Sequence, residues 1–307
     1  MLKWFKTLVL AGAVGVLAAC GGSSDDKDNI VDTAQNDPRF SILVEAVEAA
    51  GLADTLSDDG PFTVFAPTND AFAALLGELG ITKDQLLADK ALLTQVLTYH
   101  VLRGAVTKDA MPAGKALATV QGGIFKVDAV GADLVITDGR NRTSTIIATD
   151  IEASNGVIHA IDKVILPADK NIVETALGLP DFSILVEAVV AADLQGALSG
   201  TGPFTVFAPT NAAFAALLGE LGVTKDQLLA DKPLLTQVLT YHVVGARVLK
   251  AEVPVGTPVE TLQGQTLTVN SSLAIEDQRG RSANIVATDV LTSNGVIHVI
   301  DRVILPQ

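Results

Sequence analysis

The side chains best suited to proton transfer or metal ligation near neutral pH are the four histidines of this chain, His100, His159, His242 and His298. Acidic partners are available along the sequence, Asp150 or Asp162 for the first two and Asp289 or Asp301 for the last two. No histidine sits in a ligand-spaced pair such as His-Glu-x-x-His. His100 ends an apolar helical stretch and His159 lies in an apolar strand-like run, as do His242 and His298 in turn. Buried polar side chains usually serve to satisfy backbone groups, so these histidines read as core hydrogen-bonding groups rather than an acid–base or metal centre. Asp70 stands beside Thr68 and Asn69, but the second copy of that block carries Ala212, so Asp70 is no catalytic group if both copies act alike. The chain has no nucleophile elbow, phosphate loop or dinucleotide fingerprint. The expectation is a protein that is not an enzyme, with no catalytic, cofactor-binding or metal-binding residue and no cofactor.

The elements that must position these residues are written twice. Pro61 to Val101 reappears as Pro203 to Val243 with three changes in 41 positions, Asp70 against Ala212, Ile81 against Val223 and Ala91 against Pro233. The correspondence runs from Asn29 against Asn171 to Pro167 against Pro306, long enough for each copy to bury its own core as a domain. The spacing of Phe40, Leu43, Val44, Val47 and Ala50 predicts helix, and Thr63 to Pro67 reads as a buried strand closed by proline. Thr68 or Asn69 is placed to cap a helix over Asn69 to Leu79, and Thr82-Lys83-Asp84-Gln85 fits a capping box. A further helix runs from Asp89 through Tyr99, and Pro233 in the second copy marks its first turn. Beyond Val101 the composition turns to Val, Ile and Thr punctuated by glycines, and Ser154-Asn155-Gly156 between two apolar runs predicts a hairpin. The last run, Val157 to Ile161, is apolar on both faces and belongs in the middle of its sheet. Helices first and sheet afterwards make an α+β module.

Lys3 and Lys6 precede an apolar run from Thr7 to Ala19, an export signal too short, at 13 residues, for the roughly 20 that a bilayer core requires. Leu17-Ala18-Ala19-Cys20 resembles the lipobox of bacterial lipoproteins, which would make Cys20, the only cysteine, the lipid site. The expected organisation is a signal over 1–19, a flexible tether over 20–28, and domains over 29–168 and 169–307. Loss of the signal leaves 19 bases against 35 acids, a formal charge of −16. Such a surface repels phosphate backbones and anionic head groups, which argues against nucleic acid as partner and leaves membrane attachment to the lipid.

Thr63-Val64-Phe65-Ala66-Pro67-Thr68-Asn69-Asp70-Ala71-Phe72, Tyr99-His100 and Asn155 to Ile165 resemble, in order, the motifs of fasciclin (FAS1) domains, and Thr205 to Phe214, Tyr241-His242 and Asn294 to Ile304 repeat them. The chain is most similar to a bacterial fasciclin-domain lipoprotein with two tandem domains. The resemblance implies two β-wedge sandwich domains flanked by helices, exported and acting in cell adhesion or surface interaction. Its partner would be a cell-surface or extracellular matrix protein or glycan. A carrier of an apolar ligand such as a carotenoid is the alternative that the family offers. An integrin-contacting Asp-Ile pair of some animal members does not carry over, because Lys83-Asp84-Gln85 and Lys225-Asp226-Gln227 stand at its place.

The scaffold positions in this reading are Thr68, Asn69, Tyr99, His100, Asn155, Gly156 and His159, with Thr210, Asn211, Tyr241, His242, Asn294, Gly295 and His298 in the second copy. Partner contact is expected on the divergent segments, Arg103 to Ile147 and Gly245 to Val286. Gly21 after the cysteine is not the Asp that resembles an inner-membrane retention signal, so outer-membrane delivery is expected in a cell with two membranes.

Overall fold

The structure, a computed structural model, describes residues 27–307, so the export signal, Cys20 and most of the tether lie outside the described residues. The first module begins with helices α1 (Ile30–Gln35), α2 (Ser41–Ala50) and α3 (Ala53–Ser57). The Asn29 side chain accepts hydrogen bonds from the amides of Val31 and Asp32 at the start of α1, and Gly51 in the left-handed conformation ends α2. Strand β1 (Phe62–Pro67) follows, then α4 (Asn69–Leu79) capped by Thr68, α5 (Lys83–Ala88) with the Thr82 and Gln85 capping box, and α6 (Lys90–Tyr99). The chain then makes β2 (Val101–Arg103), β3 (Ala116–Ala118), β4 (Ile124–Val130), β5 (Asp133–Thr137), β6 (Thr143–Ala153) and β7 (Gly156–Ile161).

These seven strands form one sheet in the order β2-β1-β7-β6-β5-β4-β3. The β1–β7 pair is parallel and its neighbours are antiparallel, so the last strand lies inside the sheet, as its two apolar faces require. The sheet curls on itself: the amide of Val120, just past β3, donates to the carbonyl of Val101 in β2 at 2.8 Å. Side chains alternate between two cores. Val64, Ala66, Ile158 and Ala160 join the helical layer with Phe40, Leu43, Phe72, Leu75 and Leu97. Phe65 and Ile161 point the other way and fill the barrel-like interior with Tyr99, Phe125, Val127 and Ile136.

The second module repeats this order with α7 (Ile172–Leu177), α8 (Ser183–Ala191), α9 (Gln195–Leu198), β8 (Phe204–Pro209), α10 (Asn211–Leu221), α11 (Lys225–Ala230) and α12 (Lys232–Tyr241). Its remaining strands are β9 (Val243–Val244), β10 (Pro258–Glu260), β11 (Thr266–Val269), β12 (Ala274–Glu276), β13 (Ser282–Thr292) and β14 (Gly295–Ile300), in the sheet order β10-β11-β12-β13-β14-β8-β9. The α+β class expected from the sequence is the class of the structure, with each wedge built as one curled seven-stranded sheet under a helical layer.

A buried carboxylate holds the closing segment of each module. Asp138 accepts from the amides of Arg140 and Arg142, each at 2.9 Å, through one oxygen, and from the Leu166 amide at 2.9 Å and Arg142 Nε at 3.1 Å through the other. Asp277 accepts from the amides of Arg279, Arg281 and Leu305, but Arg281 Nε lies 3.8 Å away and is buried without a partner. Asp138→Ala leaves three amides and the Arg142 Nε–H without their partner at once, and is expected to destabilise the first module by roughly 3 to 5 kcal/mol. Asp277→Ala is expected to cost less, because its guanidinium bond is already missing; urea unfolding of the full chain followed by module-resolved hydrogen exchange checks the order.

Candidate functional site

The Tyr-His pair falls at the end of α6, where the chain passes from helix to sheet. His100 Nδ1 lies 2.7 Å from the carbonyl of Val96, one turn back, and Nε2 accepts from the amide of Ile165 at 3.1 Å. An amide can only donate, so Nε2 carries the lone pair and Nδ1 the proton, which defines a neutral ring with both nitrogens occupied. Burial pushes the His100 pKa down to about 4. His242 repeats the arrangement with the Val238 carbonyl at 2.7 Å and the Ile304 amide at 3.2 Å, and burial again lowers its pKa to about 4.

The strand histidines use the opposite tautomer. His159 Nδ1 accepts from the Asp150 amide at 3.2 Å, and Nε2 donates to the Val106 carbonyl at 2.8 Å. His298 does the same with the Asp289 amide at 3.3 Å and the Val248 carbonyl at 2.9 Å. Burial lowers both pKa values. Each ring lies against the strand beside it, His159 at 5.3 Å from the Phe65 ring and His298 at 5.7 Å from that of Phe207.

The carboxylates that could have completed an acid–base pair are bonded elsewhere. Asp150 accepts from the Lys108 amide and Asp162 from Ser144 Oγ and the Thr145 amide; neither carboxylate reaches a histidine ring through a hydrogen bond. Among the described residues no group of three or more His, Cys, Asp or Glu is arranged to hold a metal ion. Asp70 lies exposed in the first turn of α4.

The other motif positions also bond to backbone. Asn69 accepts from the Ile42 amide and donates to the Pro38 carbonyl and to Ser41 Oγ, and Asn211 makes the matching bonds to Ile184, Pro180 and Ser183. Thr68 and Thr210 cap their helices by accepting from the amides of Ala71 and Ala213. Asn155 accepts from the Ile30 amide at 2.9 Å and donates to the carbonyls of Leu56 and Asp58, tying α1 and the end of α3 to the hairpin; Asn294 binds Ile172, Leu198 and Gly200 alike. Tyr99 donates to the Ile124 carbonyl and accepts from the Gly139 amide, with its pKa raised by burial. Tyr241 donates to the Thr266 carbonyl, and burial raises its pKa to about 12. Gly156 and Gly295 sit where a Cβ would lie 2.0 and 2.2 Å from the carbonyl oxygens of Phe62 and Phe204, a separation no side chain survives.

Two further pairs carry the same kind of role and are absent from the scaffold positions picked out in the sequence. Besides Asp138 and Asp277, Thr63 Oγ1 donates to the Gly104 carbonyl and accepts from the Val106 amide, and Thr205 does so with Ala246 and Val248. Their signal was available: a Thr at the same place in each copy, and Asp followed four residues later by Arg in each. The threonine bonds span about forty residues of chain and leave no local pattern, whereas two of the amides that Asp138 holds lie within four residues of it.

The apolar concavities are small. A cleft of about 160 Å³ opens between α4, α5, α6 and the Leu166–Asp169 segment, with its counterpart in the second module at about 80 Å³.

A family model described as the Fasciclin domain matches residues 38–167 and again 180–306. The transforming growth factor-beta-induced protein ig-h3 of Sus scrofa is 32% identical over 258 residues, 83% of this chain and 36% of its own length. This chain therefore spans about a third of that relative. Protein sll1483 of Synechocystis sp. is 50% identical over 149 residues, 47% of this chain and 77% of its own. Among solved structures, a FAS1 domain pair from the insect cell adhesion molecule Fasciclin I is similar at a TM-score of 0.43 and 20% identity, covering 87% of this chain and 97% of that one.

The histidines make stability depend on acid in a defined direction. The folded pKa of His100 and His242, about 4, lies below the ordinary 6.5, so the unfolded chain binds more protons between these limits. The contribution of each ring is fully present above pH 6.5 and lost as pH falls toward 4, up to about 3 kcal/mol per histidine. The urea midpoint is expected to fall over this window. His100→Ala or His242→Ala is expected to lower the midpoint at pH 7 and to flatten the pH dependence of its own module; an unchanged slope overturns the assignment.

Proposed function

Because the chain belongs to the Fasciclin domain family, we propose that it is an exported surface-interaction protein without catalytic activity. In this reading a lipid on Cys20 anchors it, the folding units are 29–168 and 169–307, and a cell-surface or matrix protein or glycan is the partner. The motif histidines, asparagines, threonines and tyrosines act as scaffold, which is supported by the backbone bonds that each makes in both copies.

The observation that carries the interaction reading is a matched pair of exposed apolar side chains. In β6 the pairing with β7 slips between Ile146 and Ala148, and in β13 the pairing with β14 slips between Ile285 and Ala287. The extra residue of each bulge, Ile147 or Val286, is turned outward and is 53% or 58% exposed. Both lie at the ends of segments in which the copies have diverged, yet both are β-branched and apolar. Two such anchors on one chain suit a partner with repeated sites, where a second contact strengthens the first by effective concentration. The carrier alternative draws less support: the apolar cleft of about 160 Å³ is close to the volume that holds a benzene ring, and the larger hollow, about 450 Å³, is lined by the polar side chains of Arg140, Asn141, Asp169 and Lys170 as well as by Leu179 and Leu291.

Retention of cells or extracted matrix on immobilised protein tests the reading. Ile147→Ser with Val286→Ser is expected to weaken retention roughly tenfold, the effect of about 1.4 kcal/mol in anchoring contacts, with folding unchanged. Undiminished retention overturns the placement, and visible-range absorbance of protein taken from its native membrane would favour a carrier. Cys20→Ala is expected to release the protein from membranes, since one to three acyl chains would supply its membrane affinity; labelled palmitate still incorporated into that variant overturns the anchor.

A further inference from the structure

The divergent segment of the first module is partly covered by the second. Ile124 at the start of β4 packs in one cluster with Leu249, Leu291 and Val296 of the second module, flanked by Ala116. Beside this cluster Lys126 Nζ lies 2.8 Å from Asp289 of the second module and 3.1 Å from Asp128 of its own, with 13% of the lysine side chain and 3% of the Asp289 side chain exposed. Asp289 is held in turn by the Lys250 amide at 2.7 Å. On the other side of the cluster the Asn141 side chain reads a backbone edge: Oδ1 accepts from the Leu291 amide at 2.6 Å and Nδ2 donates to the Leu291 carbonyl at 3.0 Å. That is the bonding of a neighbouring strand, supplied by one amide side chain.

The sister positions keep the lysine amide that holds the aspartate but lack the lysine side chain, the asparagine and the two leucines. Matching hydrogen bonds align Lys108 with Lys250, Asp150 with Asp289 and Ile124 with Thr266. By the same alignment Leu249 corresponds to Thr107, Leu291 to Glu152, Lys126 to Thr268 and Asn141 to Gly280. Asp150 is exposed where Asp289 is buried, and the Glu152 side chain is 69% exposed. Asn141 and Gly280 share a left-handed backbone, at φ of 61° and 69°, so the turn itself is common and only the side chain differs.

We propose that the two modules form a one-to-one lock, in which Ile124, Lys126 and Asn141 of the first engage Leu249, Asp289 and Leu291 of the second and hold the pair as one rigid body. The copies differ at these positions because each presents a different half of the joint. The half-faces left over are polar, Thr107 with Glu152 on the first module and Thr266 with Thr268 on the second. Docking a second copy there would bury the Asp150 carboxylate against Thr268 where Asp289 meets Lys126, so the joint closes the pair and does not propagate into a string.

Substitution by the sister module's own residues tests this with little risk to folding, since each is accommodated at the matching place. Spin labels at exposed Asp84 and Asp226, in the full chain carrying Cys20→Ala, read the distance between modules. The parent is expected to give a single narrow distribution. Lys126→Thr with Asn141→Gly, and separately Leu249→Thr with Leu291→Glu, are expected to lose that peak to a broad distribution while amides of β1, β7, β8 and β14 keep their protection from exchange. A parent as broad as the variants, or variants as narrow as the parent, overturns the lock. Sedimentation of the parent is expected to read one chain at all concentrations, and end-to-end oligomers overturn its closure.

Discussion

Each module rests on the parallel pairing of its first strand with its last. Phe62 to Pro67 lies beside Gly156 to Ile161 in register, with α4 to α6 and the other five strands strung between them. A parallel pair needs a long crossover, and here that crossover contains most of the domain. The pairing also places Val64 and Ile158 under the helical layer and Phe65 and Ile161 inside the barrel, so one pair of strands serves both cores. Its tightest point is Gly156 against the Phe62 carbonyl, where any Cβ would collide with backbone. The adjacent Asn155 then binds α1 and the end of α3, so the same corner sets the position of the helices.

A joint of this kind leaves irregular backbone inside the protein, and buried amides and carbonyls without partners cost about 1 to 3 kcal/mol each. That constraint accounts for the polar residues that resemble a site. His100 and Asp138 receive the Ile165 and Leu166 amides of the closing segment, Thr63 holds the loop after β2, and His159 holds both the Asp150 amide and the Val106 carbonyl. A ring with one nitrogen donating to a carbonyl and the other accepting from an amide has neither lone pair nor proton to offer a substrate.

Duplication separates what the module needs from what the pair needs. The helical block is almost unchanged between copies, because its caps, stripes and strand contacts serve the interior of each module. The sheet segments have drifted, and some of their differences fall where the modules meet: a lysine, an asparagine and an isoleucine on one side, two leucines on the other. At Ile147 and Val286, by contrast, the segments kept an exposed apolar side chain at the same bulge.

Much of this was legible in the residues alone. Helix caps such as Thr82 with Gln85, the stripe of α4, the Asn155-Gly156 hairpin and the central place of the last strand all follow from patterns within a few residues, since one helical turn or one hairpin spans no more. Repetition of the motifs declared two modules and their family, and burial of the histidines followed from their apolar settings. What only the tertiary structure decided was which group each buried polar atom meets. Asn155 to Ile30, Lys126 to Asp289 and Asn141 to Leu291 join residues separated by 125, 163 and 150 positions. Sequence neighbours carry no trace of such partners, because the chain between them is free to bring many alternatives within reach until the packed core selects one.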